Sequence, residues 1–452
     1  MLVKNISFYG GKGDGKTVNT KAIDKAIDDI SSQGGGKLVF SEGTFLTGGF
    51  YLKSNIEIHL EKGAVLRSTG NLEDYYPDEK VFGTFFENEE CMGGTLIYGE
   101  NIENVKFSGE GAIDGNGIKI TAAEEAYKYP EGVNHYGEDD YKFINTIRPF
   151  TLRIADGKNI EIDGVTFRNP ASWNIGMIRC DNVKVTNTRF YSKNFYNGDG
   201  LDFNACENVF VSNCDFDCTD DCIALQSSFE GRSCKNIHIN DCKFTGILGG
   251  VRIGMTNIGT HEDVFIENCS FENIGCSALK FQNCEGGDIK NVFVNNCTFK
   301  NCTAPIFFTN NVFPITLKKF ATIPAHEGFL GNIEISNVKI INEKPDKLGG
   351  IIMDGAKGCG IENIVIKNSE YSYVQESSPV AGKNIPTLDG KRPERDKYLP
   401  DGINAGFLLR NCKNVDLSSL KVTEANGLTP AAVLIDCENV SMPSNVKTID
   451  DL

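Results

Sequence analysis

The chain has 452 residues, 40% of them hydrophobic, so it can bury a large core and does not read as a disordered polymer. Acidic residues number 61 against 45 basic ones, a formal net charge of −16, which argues against nucleic acid or an anionic membrane surface as partner. No run of 18 apolar residues occurs, so no membrane span is expected.

The first residues, Met1-Leu2-Val3-Lys4-Asn5, show neither a basic nor an apolar leader pattern. A cytoplasmic location is therefore expected, with the sixteen cysteines as thiols rather than disulfides. Apolar residues at 22, 23, 26, 27 and 30 have helical spacing. Asn19 or Thr20 stands at the start of this pattern and Gly34-Gly35-Gly36 at its end, which predicts a capping helix over about 19–33. Short alternating strands follow at Lys37–Phe40, Phe50–Leu52 and Ile56–Leu60.

A repeat then takes over. Lys158-Asn159-Ile160 recurs as Asp181-Asn182-Val183, Glu207-Asn208-Val209, Lys235-Asn236-Ile237, Glu262-Asp263-Val264 and Lys290-Asn291-Val292, at steps of 23 to 28 residues. A period in the twenties built from short strands means a solenoid. The leucine pattern of leucine-rich repeats is absent. The expected fold is all-β: a right-handed parallel β-helix forming one domain over 1–452, its open end covered by the helix. Cys214, Cys242, Cys269 and Cys297 follow the repeat and read as a buried ladder. The five histidines form no metal motif, and His238 reads as an outward surface residue. Residues 119–147 and 370–400 break the rhythm and are expected to flank a binding cleft.

Candidate chemistry lies in Asn197-Gly198-Asp199-Gly200-Leu201-Asp202 and Asp220-Asp221-Cys222-Ile223-Ala224-Leu225. Aligning the two alternations by 22 residues places Asp202 over Ala224 and Asp199 over Asp221. Three clustered carboxylates repel one another and raise each other's pKa, a cost that points to use. Continuing the register puts Asp202, Ala224, Arg252, Lys280 and Phe307 in one outward column, with Gln282 further along the Lys280 strand. Arg252 and Lys280 would offset the acids and hold a substrate carboxylate, and Phe307 would stack on a sugar.

These motifs resemble those of glycoside hydrolase family 28, the polygalacturonases and their relatives. Phe8-Tyr9-Gly10-Gly11-Lys12-Gly13-Asp14-Gly15 resembles the family's opening, and Gly109-Glu110-Gly111-Ala112-Ile113-Asp114-Gly115 its Ile-Asp-Gly element. The Asn197–Asp202 stretch and the Asp220-Asp221 pair resemble its two acid motifs. The resemblance implies hydrolysis of α-linked pectic oligosaccharides with inversion. It implies Asp220 as general acid and Asp199 with Asp221 as the pair that holds and deprotonates water. Substrate contacts are expected from Asn197, Asp202, Arg252, Lys280, Gln282 and Phe307, the expected intracellular location favours exo attack, and no cofactor or metal is expected. Two departures stand out: Leu248 occupies the place of the family's histidine and Ala278 that of its arginine. The alternatives are a polysaccharide lyase on the same fold, with the acids as Ca²⁺ ligands, and a non-catalytic glycan-binding β-helix.

Overall fold

The structure, a computed structural model, describes residues 2–71, 74–75, 94–119, 149–192, 197–315, 324–345, 350–377, 379–380, 382–394, 399 and 402–450. The chain forms two compact units, Met1–Asp220 and Asp221–Leu452.

In the first unit the predicted helix is present as Thr20–Ser32. Its apolar spacing gathers Ile23, Ala26, Ile27 and Ile30 on one buried face. Asn19 precedes the helix without capping it. Its side chain instead accepts from Lys12 N at 2.7 Å and donates to Leu46 O at 3.0 Å, tying the loop after the first turn to the strand Gly43–Thr47. The rest of the unit is β structure, and every strand pairs in parallel. One coil runs Ile175–Ile178, Asp181–Thr186 and Arg189–Ser192 before the next begins at Leu201–Asn204. Its three strands belong to three different sheets.

The second unit repeats this plan. A coil runs Ser277–Asn283, Ile289–Asn295 and Thr298–Lys300, and the next starts at Ala304–Asn310. The architecture is thus the all-β, parallel β-helical one that the repeat period implied.

The Asn of the repeat has a backbone cause. Asn159, Asn182 and Asn208 in the first unit and Asn236, Asn291 and Asn332 in the second all have φ between 54° and 57°. Asn is among the few non-glycine residues that enter this left-handed region at small cost. One such residue at the same point of each coil lets the amides stack. Asn182 donates to Asn159 at 2.6 Å, and Asn159 to Asn104 at 2.9 Å. Inside, rings stack on the same principle: Phe167–Phe190–Phe216 in the first unit and Phe244–Phe271–Phe299 in the second, with centroids 4.5–5.7 Å apart. Cys242, Cys269 and Cys297 are buried one coil apart. Hydrogen bonding from neighbouring thiols and burial push the thiols of Cys269 and Cys297 well above their usual range. His238 is half-buried and its ring stacks on Phe265 at 4.7 Å.

Candidate active site

In the first unit, the turn between the strands Arg189–Ser192 and Leu201–Asn204 carries Asn197, Gly198 and Asp199. Asn197 has φ 50°. Gly198 is required by space: a Cβ there would lie 2.3 Å from Thr219 Oγ1 and 2.9 Å from Ser192 O. Asn174, fully buried, clamps the Asp199 carbonyl with both its backbone and its side-chain nitrogen, each at 3.0 Å. Asp199 is thereby fixed with 2% exposure. Oxygens of Asp199 and Asp220 come within 4.8 Å of one another, and the Asn197 amide reaches Asp220 Oδ2 at 3.5 Å. These two carboxylates are also donors of the kind a hard divalent cation takes.

Asp202 is buried on the next strand. Its register partner is Gly176, whose own partner is Arg153. Arg153 is fully buried, with its guanidinium carbon 4.0 Å from the Phe150 ring centre. Sequence reasoning traced this column back only as far as Gly176. The missed signal was one more step of the register, to an arginine between Leu152 and Ile154.

In the second unit Asp221 is fully buried. Each of its oxygens faces a cation: Arg252 Nε is 2.9 Å from Oδ2, and Lys280 Nζ is 3.9 Å from Oδ1. Burial alone would lower the Lys280 pKa, but the negative charges of Asp221 and Glu394 more than offset it and hold it above its ordinary value. Gly249 makes room for this group, since a Cβ at that position would sit 1.9 Å from Asp221 Oδ1. Leu248, beside it, is half-buried.

The predicted column is present in this unit. Ala224 pairs with Arg252, Arg252 with Lys280, and Lys280 with Phe307. Two of the expected substrate contacts need correction. Phe307 does not face a sugar site. It is fully buried in an apolar cluster with Ile352, Leu388, Leu399, Ile403 and Leu408. Gln282 is also fully buried, and its amide donates to Pro393 O. The physical reason is shared: part of the irregular segment predicted at 370–400 folds back over these strands. Asn311 donates to Lys391 O at 2.8 Å, Arg410 to Pro386 O at 3.1 Å, and Lys357 N to Asp389 Oδ1 at 2.9 Å. The segment is a bolted wall. The other predicted loop, 119–147, lies outside the described residues beyond Lys119.

Acids lie in the turns between coils of the parallel β-helix, and Arg252 and Lys280 on strands of the second unit. The model of glycosyl hydrolases family 28 matches residues 80–327, and the chain belongs to that family. It is 30% identical over 257 residues to an exo-poly-alpha-D-galacturonosidase of Dickeya chrysanthemi, a match covering 49% of this chain and 41% of that one. The chain spans less than half the length of that relative. Among solved structures, the family 28 exopolygalacturonase of Yersinia enterocolitica superposes with a TM-score of 0.73 at 21% identity, over 97% of this chain and 78% of the other. A hyperthermoactive exopolygalacturonase of Thermotoga maritima gives 0.67 at 24%, over 82% and 87%. These superpositions carry the fold.

Proposed function

We propose that the protein is an inverting glycoside hydrolase that removes sugars from the end of α-linked, pectin-derived oligosaccharides of galacturonan or rhamnogalacturonan type. Asp220 is assigned the general acid, and Asp199 with Asp221 the task of holding and deprotonating water. The observation that carries this reading is the unlike setting of two residues adjacent in the chain. Asp221 is buried between the Arg252 and Lys280 side chains. Asp220 has another carboxylate, that of Asp199, within 4.8 Å. Like charges at this range favour keeping a proton on one of them. The acid and the base of a glycosidase stand in unlike surroundings. The exo mode rests on the names of the relatives and on the wall over Phe307 and Gln282.

The test is product analysis on defined pectic oligosaccharides. Hydrolysis should release the inverted anomer, read by NMR in the first minutes, and Asp220→Asn should lower kcat by about 10²–10⁴ with the fold intact. An unsaturated product absorbing in the ultraviolet would establish the lyase instead. An untouched glycan would sink the enzymatic reading.

A further inference from the structure

The backbone on either side of Asp199 is held by two buried side chains of the first unit. A peptide group is planar, so a bond to its carbonyl fixes the whole plane. The Ser192 hydroxyl donates to the Gly198 carbonyl, which fixes the plane before Asp199. Asn174 donates to the Asp199 carbonyl with its backbone nitrogen and with its side-chain amide, each at 3.0 Å, which fixes the plane after it. Asn174 is itself held from the preceding coil. Its carbonyl accepts from Leu152 N at 2.9 Å, the Trp173 carbonyl accepts from Thr151 N at 3.2 Å, and the Trp173 ring stands edge-on to Phe150 at 5.0 Å. With both planes set, the direction of the Asp199 Cα–Cβ bond is set, and only side-chain rotation is left to aim the carboxylate.

The side-chain amide of Asn174 is costly for the fold. It is fully buried, and its Oδ1 has no hydrogen-bond partner among the described residues. A buried acceptor left unmade costs at least as much as the hydrogen bond at Nδ2 returns. The backbone nitrogen of the same residue already serves the Asp199 carbonyl, so stability alone favours a leucine of the same branched shape. We propose that Asn174 is a positioning residue: its second bond to the Asp199 carbonyl holds the Asp199 carboxylate in the place hydrolysis needs, within 4.8 Å of Asp220. This rests on the glycosidase reading above, in which Asp199 belongs to the pair that handles water. Misplacing a reacting group by about 1 Å can cost about 10²-fold in rate.

The variant Asn174→Leu keeps the shape and removes both polar ends. On a pectic oligosaccharide that the wild type cleaves, kcat should fall about 10- to 100-fold with KM within about twofold, and the melting temperature should hold or rise. In an Asp199→Asn background the same change should cost nothing further, because it acts through the Asp199 carboxylate. A mere loss of packing would lower the melting temperature and persist in that background. Crystal structures of wild type and variant read the placement without turnover. The Asp199 carboxylate should shift by about 1 Å or more while the strand Leu201–Asn204 stays in place. A kcat within about twofold of wild type, a loss undiminished in the Asp199→Asn background, or an unmoved carboxylate overturns the proposal. If the carboxylate moves as expected while the wild type cleaves no glycan, the hold of Asn174 on Asp199 stands and the hydrolase reading fails.

Discussion

Arg252 Nε and Asp221 Oδ2 lie 2.9 Å apart, with both side chains almost entirely withdrawn from water. Breaking such a pair from one side leaves a buried charge without its counter-ion, which costs about 3–5 kcal/mol. Arg252→Met is therefore expected to lose that much stability in urea at pH 7. A loss below about 1 kcal/mol would mean that the pair is solvated and that Arg252 has no hold on Asp221.

His261 supplies a second prediction, on pH. It is fully buried in register between Cys234 and Ile289, and burial pulls its pKa down to about 3. The unfolded chain titrates near 6.5. Because the folded value is the lower one, the unfolded state binds the extra proton, and stability falls as the pH drops below 6.5. At 1.36 kcal/mol per pH unit the loss from this group reaches about 2 kcal/mol at pH 5. His261→Met should shrink the difference in unfolding free energy between pH 7 and pH 5 by that amount. An unchanged difference would show that the imidazole protonates freely in the fold.

The wall over the second unit can be tested by proteolysis. Gln282 and Asn311 donate to carbonyls at Pro393 and Lys391, and a buried carbonyl left without its donor costs about 1–3 kcal/mol. Gln282→Ala and Asn311→Ala should each speed trypsin cleavage after Lys391 several-fold, with little change in global unfolding. Equal rates in variants and wild type would show that these bonds do not hold the segment.

The thiols give a fourth test. Fifteen of the sixteen cysteines are described, all as free thiols and fourteen of them buried. Denaturation without reductant should release sixteen titratable thiols from fresh protein. A count two or more lower would reveal a disulfide.

What could be read from the sequence, and what could not, follows the range of the forces involved. Period-two alternation is local, so the strand Ile56–Leu60 and the column Arg252, Lys280, Phe307 came directly from it. The helix came within a residue of its limits for the same reason. The burial of Phe307 and Gln282 was hidden because it depends on residues about a hundred positions later that fold back onto them. No spacing rule announces that return. A second cysteine column was within reach and was missed. Cys180 and Cys206 precede the Asn of the repeat by two residues, as do Cys234, Cys412 and Cys437. Cys180 N donates to Cys206 Sγ at 3.4 Å. Reading the Asn and the apolar residue after it left out the position two residues before the Asn.

The buried thiol ladders also bear on how the chain is made. Within the coils, carbonyls such as Ile239 O and Ile266 O take up the sulfur protons of Cys269 and Cys297, and the raised proton affinity of both thiols leaves almost no thiolate to react. That protection exists only once neighbouring coils are stacked. Before then the same cysteines titrate near their ordinary value of about 8.5 and can bind soft metal ions or form mixed disulfides. Each coil that docks removes its own thiols from that chemistry. Refolding from denaturant should therefore depend sharply on reductant and chelator, whereas Cys269 and Cys297 of the finished protein should be inert to oxidants and zinc. The vulnerability belongs to synthesis, and closing it is a by-product of the packing that holds the coils together.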